Sequence, residues 1–325
     1  MKKHFKKLLL MALMAVMAVG LIACGTDKSD NESTKEEKTS VTITSLDASK
    51  NEIELEVPYN PKSIAILDLA CLDFIDELGV GDRVVGMAST SIDYLEKYSN
   101  DASIKNLGTI KEADLEAVME CEPDIIFIGG RLSKSYDALS EIAPVVYLAT
   151  DTNEGLVNSV SKNAKTIASI FGMEDKVDSL MSDFGARIDA IKKISSGKTA
   201  LVGMTTSGSF NLLGNDGRCS LIGVEAGFNN LTAAGSTSTH GNETSFETVV
   251  KQNPDYIFVM DRDSAISTAG AKNAKEIVEN ELVKTTDAYK NNHIIYLEHS
   301  NVWYTAEGGI QALDIMLTDL EKGLK

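Results

Sequence analysis

The amino-acid sequence predicts an α/β protein of two lobes joined by one long α-helix. Three observations predict it. A segment recurs 131 positions further on, apolar strand-like runs alternate with helical stretches in both halves, and a long amphipathic stretch separates the halves.

The repeat sets Asp114-Leu-Glu-Ala-Val-Met-Glu-Cys-Glu-Pro-Asp-Ile-Ile-Phe-Ile-Gly-Gly-Arg131 against Ser245-Phe-Glu-Thr-Val-Val-Lys-Gln-Asn-Pro-Asp-Tyr-Ile-Phe-Val-Met-Asp-Arg262. Glu116, Val118, Pro123, Asp124, Ile126, Phe127 and Arg131 match Glu247, Val249, Pro254, Asp255, Ile257, Phe258 and Arg262. Each copy reads as a short amphipathic helix ending before Pro-Asp, then a near-continuous apolar run. Such a run makes a strand buried on both faces of a parallel sheet. An arginine follows each strand at its carboxyl end, where open α/β sheets bind ligands. Position alone does not separate two cleft cations from two solvated loop residues.

The other elements fall around this repeat. In the first lobe, 63–68, 84–88, 125–129 and 145–149 read as strands, with helices at 71–78 and 136–142. In the second, 200–205, 256–260 and 293–297 read as strands, with helices near 220–226, 271–282 and 309–324. Between them, Val177, Leu180, Met181, Phe184, Ile188, Ile191 and Ile194 recur at intervals of three and four. That spacing predicts one amphipathic helix over 174–194, about 30 Å long, which would permit only modest lobe closure.

The N-terminus carries an address. A basic stretch at 2–7 precedes an uncharged apolar run from Leu8 to Ala23, shorter than a comfortable membrane span. It ends Leu21-Ile22-Ala23-Cys24, which resembles the bacterial lipobox; the resemblance implies removal of residues 1–23 and diacylation of Cys24. Two chains give stable anchoring. Residues 25–40 hold no large apolar side chain, so 24–40 reads as a flexible tether. The expected organisation is a signal peptide at 1–23, the tether, a first lobe at 41–173, the linking helix at 174–196 and a second lobe at 197–325.

Composition excludes other classes. The formal charge is −17, and loss of four lysines with the leader leaves 27 basic residues against 48 acids. Such a chain repels phosphate backbones, so nucleic acid is not expected as a partner. Cys71, Cys121 and Cys219 are scattered, without CxxC pairing, and read as free thiols in apolar surroundings. No GxSxG, HExxH, GxGxxG or Walker A pattern occurs, so the chain does not read as an enzyme.

A lipobox, two Rossmann-like lobes and a single linking helix resemble the periplasmic-binding-protein-like lipoproteins of the siderophore and cobalamin type, which serve ABC importers. Within that group the petrobactin and catecholate-binding subfamily is the most similar. The resemblance is carried by Ile128-Gly-Gly-Arg131-Leu-Ser-Lys, Asp216-Gly-Arg218, Thr239-His240-Gly241, the 253–262 segment, and Ile295-Tyr-Leu297 followed by Trp303-Tyr304. It implies that Arg131, Arg218 and Arg262 contact catecholate oxygens, with Trp303 at the cleft. It also implies that His240 and Tyr304 complete the coordination of Fe(III) when the siderophore offers only two catechols. Three guanidiniums suit a trianionic ferric tris-catecholate, and phenolate suits a hard cation. His240 also reads as a plain loop histidine, and Tyr304 with Trp303 as an aromatic core pair; His293 and His299 are assigned no role.

The same resemblance implies that Glu116 and Glu247 dock on the two permease subunits. As helix N-terminal acids, they are also favoured by the macrodipole alone. No intrinsic cofactor is expected, the ferric siderophore being cargo, and the protein is expected to be a monomer on the extracytoplasmic face of the cell membrane. A haem- or cobalamin-binding lipoprotein of the same fold is the alternative, although aromatics form only 6% of the chain.

Overall fold

The computed structural model describes residues 38–234 and 237–325. The predicted leader at 1–23, Cys24 and most of the tether lie outside the described residues. Among the described residues no helix is long and apolar enough to cross a membrane.

The first sheet is wholly parallel. From one edge to the other its strands are Lys105–Asn106, Val84–Met87, Ile64–Ile66, Ile125–Ile128 and Val145–Tyr147. Ile125–Ile128 is buried at every position, as the continuous apolar run requires. The second sheet is mixed. Thr199–Thr206, Tyr256–Asp261 and Ile294–Tyr296 run parallel, while Ser209–Leu212 folds back on Thr199–Thr206 as a hairpin. All seven strands predicted in the two lobes are present, most of them trimmed at the ends.

The Pro-Asp repeat has a local cause. Asp124 Oδ2 accepts the backbone N–H groups of Lys62 at 2.7 Å and Ser63 at 2.9 Å, just before the neighbouring strand. Asp255 Oδ2 does the same for Thr199 N–H at 2.8 Å in the second sheet. Each carboxylate fixes the start of two adjacent parallel strands, and hence where their carboxyl ends finish. The preceding helices, Leu115–Glu120 and Phe246–Gln252, are N-capped by Asp114 and Ser245 and bury Val118 and Val249.

The single linking helix is corrected. Residues 174–195 form two helices, Glu174–Met181 and Phe184–Ser195, interrupted at Ser182-Asp183. Ser182 Oγ donates to Ser179 O at 2.8 Å, so the hydroxyl takes up a carbonyl of the last turn. Asp183 and Gly185 come next, both poor helix formers. Two other helices tie the lobes. Leu156–Phe171 begins where Val157 N–H donates to Glu225 Oε1 at 3.2 Å, and near its end Ile170 O accepts Asn60 N–H at 2.8 Å. The C-terminal helix Ile310–Gly323 starts on a first-lobe carboxylate: Asp73 accepts the N–H groups of Ile310, Gln311 and Ala312 at 2.9, 3.0 and 2.9 Å. Asp73 is fully buried in the helix Leu69–Glu77 and also accepts Tyr94 Oη–H at 2.8 Å. Burial pushes its carboxyl up to about 6, although the amides it accepts favour the ionised form.

One apolar core runs through both lobes, from Ile64, Phe74 and Phe127 to Phe258, Trp303 and Leu320. Cys71 and Cys219 are buried free thiols and Cys121 is half-buried. The predicted helix at 271–282 is shorter, Ala274–Val278. It stops where Asn280 Oδ1 accepts the N–H groups of Leu282 and Val283.

Candidate functional site

Arg131, Arg218 and Arg262 converge on Tyr304. Arg131 follows the strand Ile125–Ile128 through Gly129-Gly130, and a Cβ on the first of these would lie 2.0 Å from Asp68 Oδ2, so glycine lets that carboxylate sit against the backbone. Arg262 follows Tyr256–Asp261 at the equivalent place. Arg218 stands before Cys219, whose φ of +62° turns the chain sharply into the helix Ser220–Gly223. Tyr304 sits on the helix Ser300–Thr305, beyond the strand Ile294–Tyr296.

The guanidinium carbons lie 5.9, 4.5 and 5.6 Å from the Tyr304 ring centroid for Arg131, Arg218 and Arg262. The ring's negative face helps hold three like charges together. Arg131 Nη2 donates across the lobes to Tyr304 O at 2.9 Å, and Arg218 Nε donates to the same oxygen at 3.5 Å. Arg262 Nε donates to Tyr304 Oη at 3.2 Å, while its Nη1 reaches Thr206 Oγ1 and Asp263 Oδ1 at 3.2 and 3.1 Å. Asp263 is buried and in turn accepts Ser207 N–H at 2.7 Å.

Two cavities share Arg131 and Tyr304 as a common wall. The outer one, about 490 Å³, is lined by Ser89–Ser91 and Thr109–Lys111 of the first lobe and Ala265–Ser267 of the second. The inner one, about 350 Å³, is lined by Asp68, Gly129, Gly130, Arg218 and Glu307 among others. Glu307 Oε1 accepts Cys219 N–H at 2.8 Å. Burial pushes its carboxyl up to about 7, against the opposing pull of that N–H, Arg218 and Arg131. Burial likewise raises Asp68, with Arg131 acting against it.

His240 is exposed on a loop of the second lobe, and its ring makes no hydrogen bond among the described residues. Partial burial and the fields of Arg262, Arg218 and Lys111 depress its pKa, which keeps the imidazole neutral and a nitrogen lone pair free at neutral pH. It therefore shares the electrostatic field of the site without touching Tyr304. The expected place of Trp303 at the cleft is corrected. Trp303 is fully buried, and its Nε1–H donates to Asp319 Oδ2 at 3.0 Å, so it presents no surface to the cleft. Glu116 and Glu247 stand exposed in the first turns of the helices that precede the repeated strands, whereas the arginines follow those strands.

Sequence reasoning missed Glu307, Asp68 and Lys111. None carries a spacing signal, and each becomes visible only when the loops meet. His299 pairs through Nδ1 with Asp319 Oδ1 at 2.7 Å and makes no contact with the arginines.

Two α/β sheets thus face one cleft with charged side chains beyond the carboxyl ends of their strands, the place where open α/β sheets bind ligands. The chain belongs to the periplasmic binding protein family, whose model matches residues 64–300. It is 36% identical to the petrobactin-binding protein YclQ of Bacillus subtilis (strain 168), over 98% of this chain and 99% of that one. The crystal structure of YclQ superposes with a TM-score of 0.81, covering 89% of this chain and 99% of the other. The periplasmic catecholate-siderophore binding protein VctP from Vibrio cholerae is 30% identical, with a TM-score of 0.78 over 87% of this chain and all of that one. The ferric-anguibactin-binding protein FatB of Vibrio anguillarum (strain ATCC 68554 / 775) is 26% identical over 82% of this chain and 84% of that one.

Proposed function

We propose that this protein is the extracytoplasmic solute-binding component of an ABC importer, anchored through Cys24, and that it captures a ferric catecholate siderophore of the petrobactin kind. The observation that carries this reading is the convergence of Arg131, Arg218 and Arg262 on one aromatic ring between two lobes. A ferric tris-catecholate carries three negative charges on oxygens, and guanidinium forks both neutralise and hydrogen-bond such oxygens. The relatives that bind petrobactin and catecholate siderophores support the same ligand class.

In this reading Tyr304 and His240 fill the remaining coordination positions when the siderophore is tetradentate. Tyr304 Oη accepts from Arg262 Nε, which orients it, and a bound ferric ion would supply the charge that drives off its proton. Glu116 and Glu247, presented at equivalent places on the two lobes, are the docking contacts to a two-subunit permease. The acidic surface slows anion encounter, and salt screens it.

Native mass spectrometry of the mature chain, mixed with ferric complexes of catecholate, hydroxamate and citrate siderophores and with haem, tests the reading. A one-to-one adduct with ferric catecholates at submicromolar concentration is expected. Binding of haem or of a hydroxamate complex alone overturns it.

A further inference from the structure

Arg218 enters the site from a turn that its own sequence does not favour. Cys219, the next residue, has φ of +62°. A residue with a Cβ adopts that left-handed conformation at a cost, and keeps it only where its surroundings hold it there. The turn lies between the strand Ser209–Leu212 and the helix Ser220–Gly223, so no strand ladder fixes it. Within it, Ser220 N–H donates to Gly217 O at 3.2 Å. The shorter contact comes from a distant segment: Cys219 N–H donates to Glu307 Oε1 at 2.8 Å.

Glu307 stands on the short connection between the helices Ser300–Thr305 and Ile310–Gly323, a little beyond Tyr304. That connection is itself tied down. The first amides of the C-terminal helix sit on the buried Asp73 carboxylate, and a Cβ on Gly309 would lie 2.3 Å from Asp73 Oδ2. Glu307 therefore reaches the Arg218 turn from a fixed base. Arg218 and Arg131 act on its carboxyl electrostatically, yet among the described residues no hydrogen bond joins Glu307 to either guanidinium. Its direct hold is on the backbone of Cys219. Arg218 carries that hold onward, since its Nε donates to Tyr304 O at 3.5 Å and its Nη1 donates at 2.9 Å to the carbonyl of Thr239, the neighbour of His240.

We infer that Glu307 is a positioning residue for ligand binding: its carboxyl oxygen, through the Cys219 N–H, holds the turn that aims Arg218 into the cleft. This inference rests on the ferric catecholate reading. The role needs an acceptor oxygen at one place and does not need a charge, so reach and charge separate under substitution.

The experiment measures dissociation constants for a ferric tris-catecholamide complex by isothermal titration. Glu307→Gln keeps an oxygen at the same reach without the charge, and is expected to bind within about threefold of wild type. Glu307→Asp keeps the charge but is one methylene short, and is expected to bind about tenfold more weakly. Arg218→Ala is expected to lose about thirtyfold. Adding Glu307→Asp to Arg218→Ala should cost less than about twofold more, because the turn then has no guanidinium to aim. Additive losses, as a general weakening of the fold would give, overturn the Glu307 assignment alone. So does a Glu307→Asp protein that binds like wild type, or a Glu307→Gln protein that loses as much as Glu307→Asp. A wild-type protein that binds no ferric catecholate overturns the ferric catecholate reading itself, and the assignment with it.

Discussion

Arg131 and Arg262 stand at equivalent places past the repeated strands, yet they keep different company. Arg262 is half-buried and pairs with the buried carboxylate of Asp263, which is itself held by Ser207 N–H. Arg131 is exposed, has no ion pair among the described residues, and spends one N–H on the carbonyl of Tyr304 in the other lobe. The Asp124 and Asp255 caps explain why the two backbones end alike. The segment after each strand decides whether the arginine's charge is already compensated. The first lobe therefore offers the cleft a guanidinium with no carboxylate in direct contact, and the second one that is paired and also orients the tyrosine hydroxyl.

That contrast puts the larger of two expected effects on the first lobe. Arg131→Ala should weaken binding of a ferric catecholate about a hundredfold, near the upper range for losing a charge-assisted hydrogen bond. Arg262→Ala should cost about tenfold, because Asp263 already takes up part of its charge. Isothermal titration of both variants checks this, and equal losses would remove the distinction between the lobes.

A smaller effect comes from the acid side of the site. Glu307, under Arg218, has a carboxyl raised from its ordinary range near 4.5 to about 7. The cost of ionising it inside the fold is absent below its unfolded pKa and grows as pH rises through the folded value, so stability is lost between about pH 4.5 and 7. Glu307→Gln should therefore gain about 1 kcal/mol over wild type in urea unfolding at pH 8 and almost nothing at pH 4.5. A gain that is the same at both pH values would contradict the burial argument.

Much of the fold was legible because parallel strands buried on both faces write themselves as unbroken apolar runs, such as Ile125–Ile128 and Tyr256–Asp261. The N-terminal hairpin Ser40–Leu46 with Glu52–Pro58 leaves a weaker signal, the period-two alternation of Val41 and Ile43 with Ile53, Leu55 and Val57, and it was not among the predicted elements. The break at Ser182-Asp183 hid because the apolar stripe continues across it: burial sets the stripe, whereas backbone hydrogen bonding sets the break. The three arginines and Tyr304 were legible through family resemblance more than through spacing. Trp303 was misplaced because successive residues on a helix point about 100° apart. With Tyr304 turned to the arginines, Trp303 is turned to Asp319 and the core.

The decisive measurement is a crystal structure of the protein with a ferric catecholate complex bound. The complex is expected between the lobes, with catecholate oxygens within hydrogen-bond reach of Arg131, Arg218 and Arg262, and with Arg131 released from the Tyr304 carbonyl to which it donates here. A complex seated elsewhere, or one that leaves Arg131 on that carbonyl and two of the three guanidiniums untouched, would contradict the assignment of these arginines to the ligand.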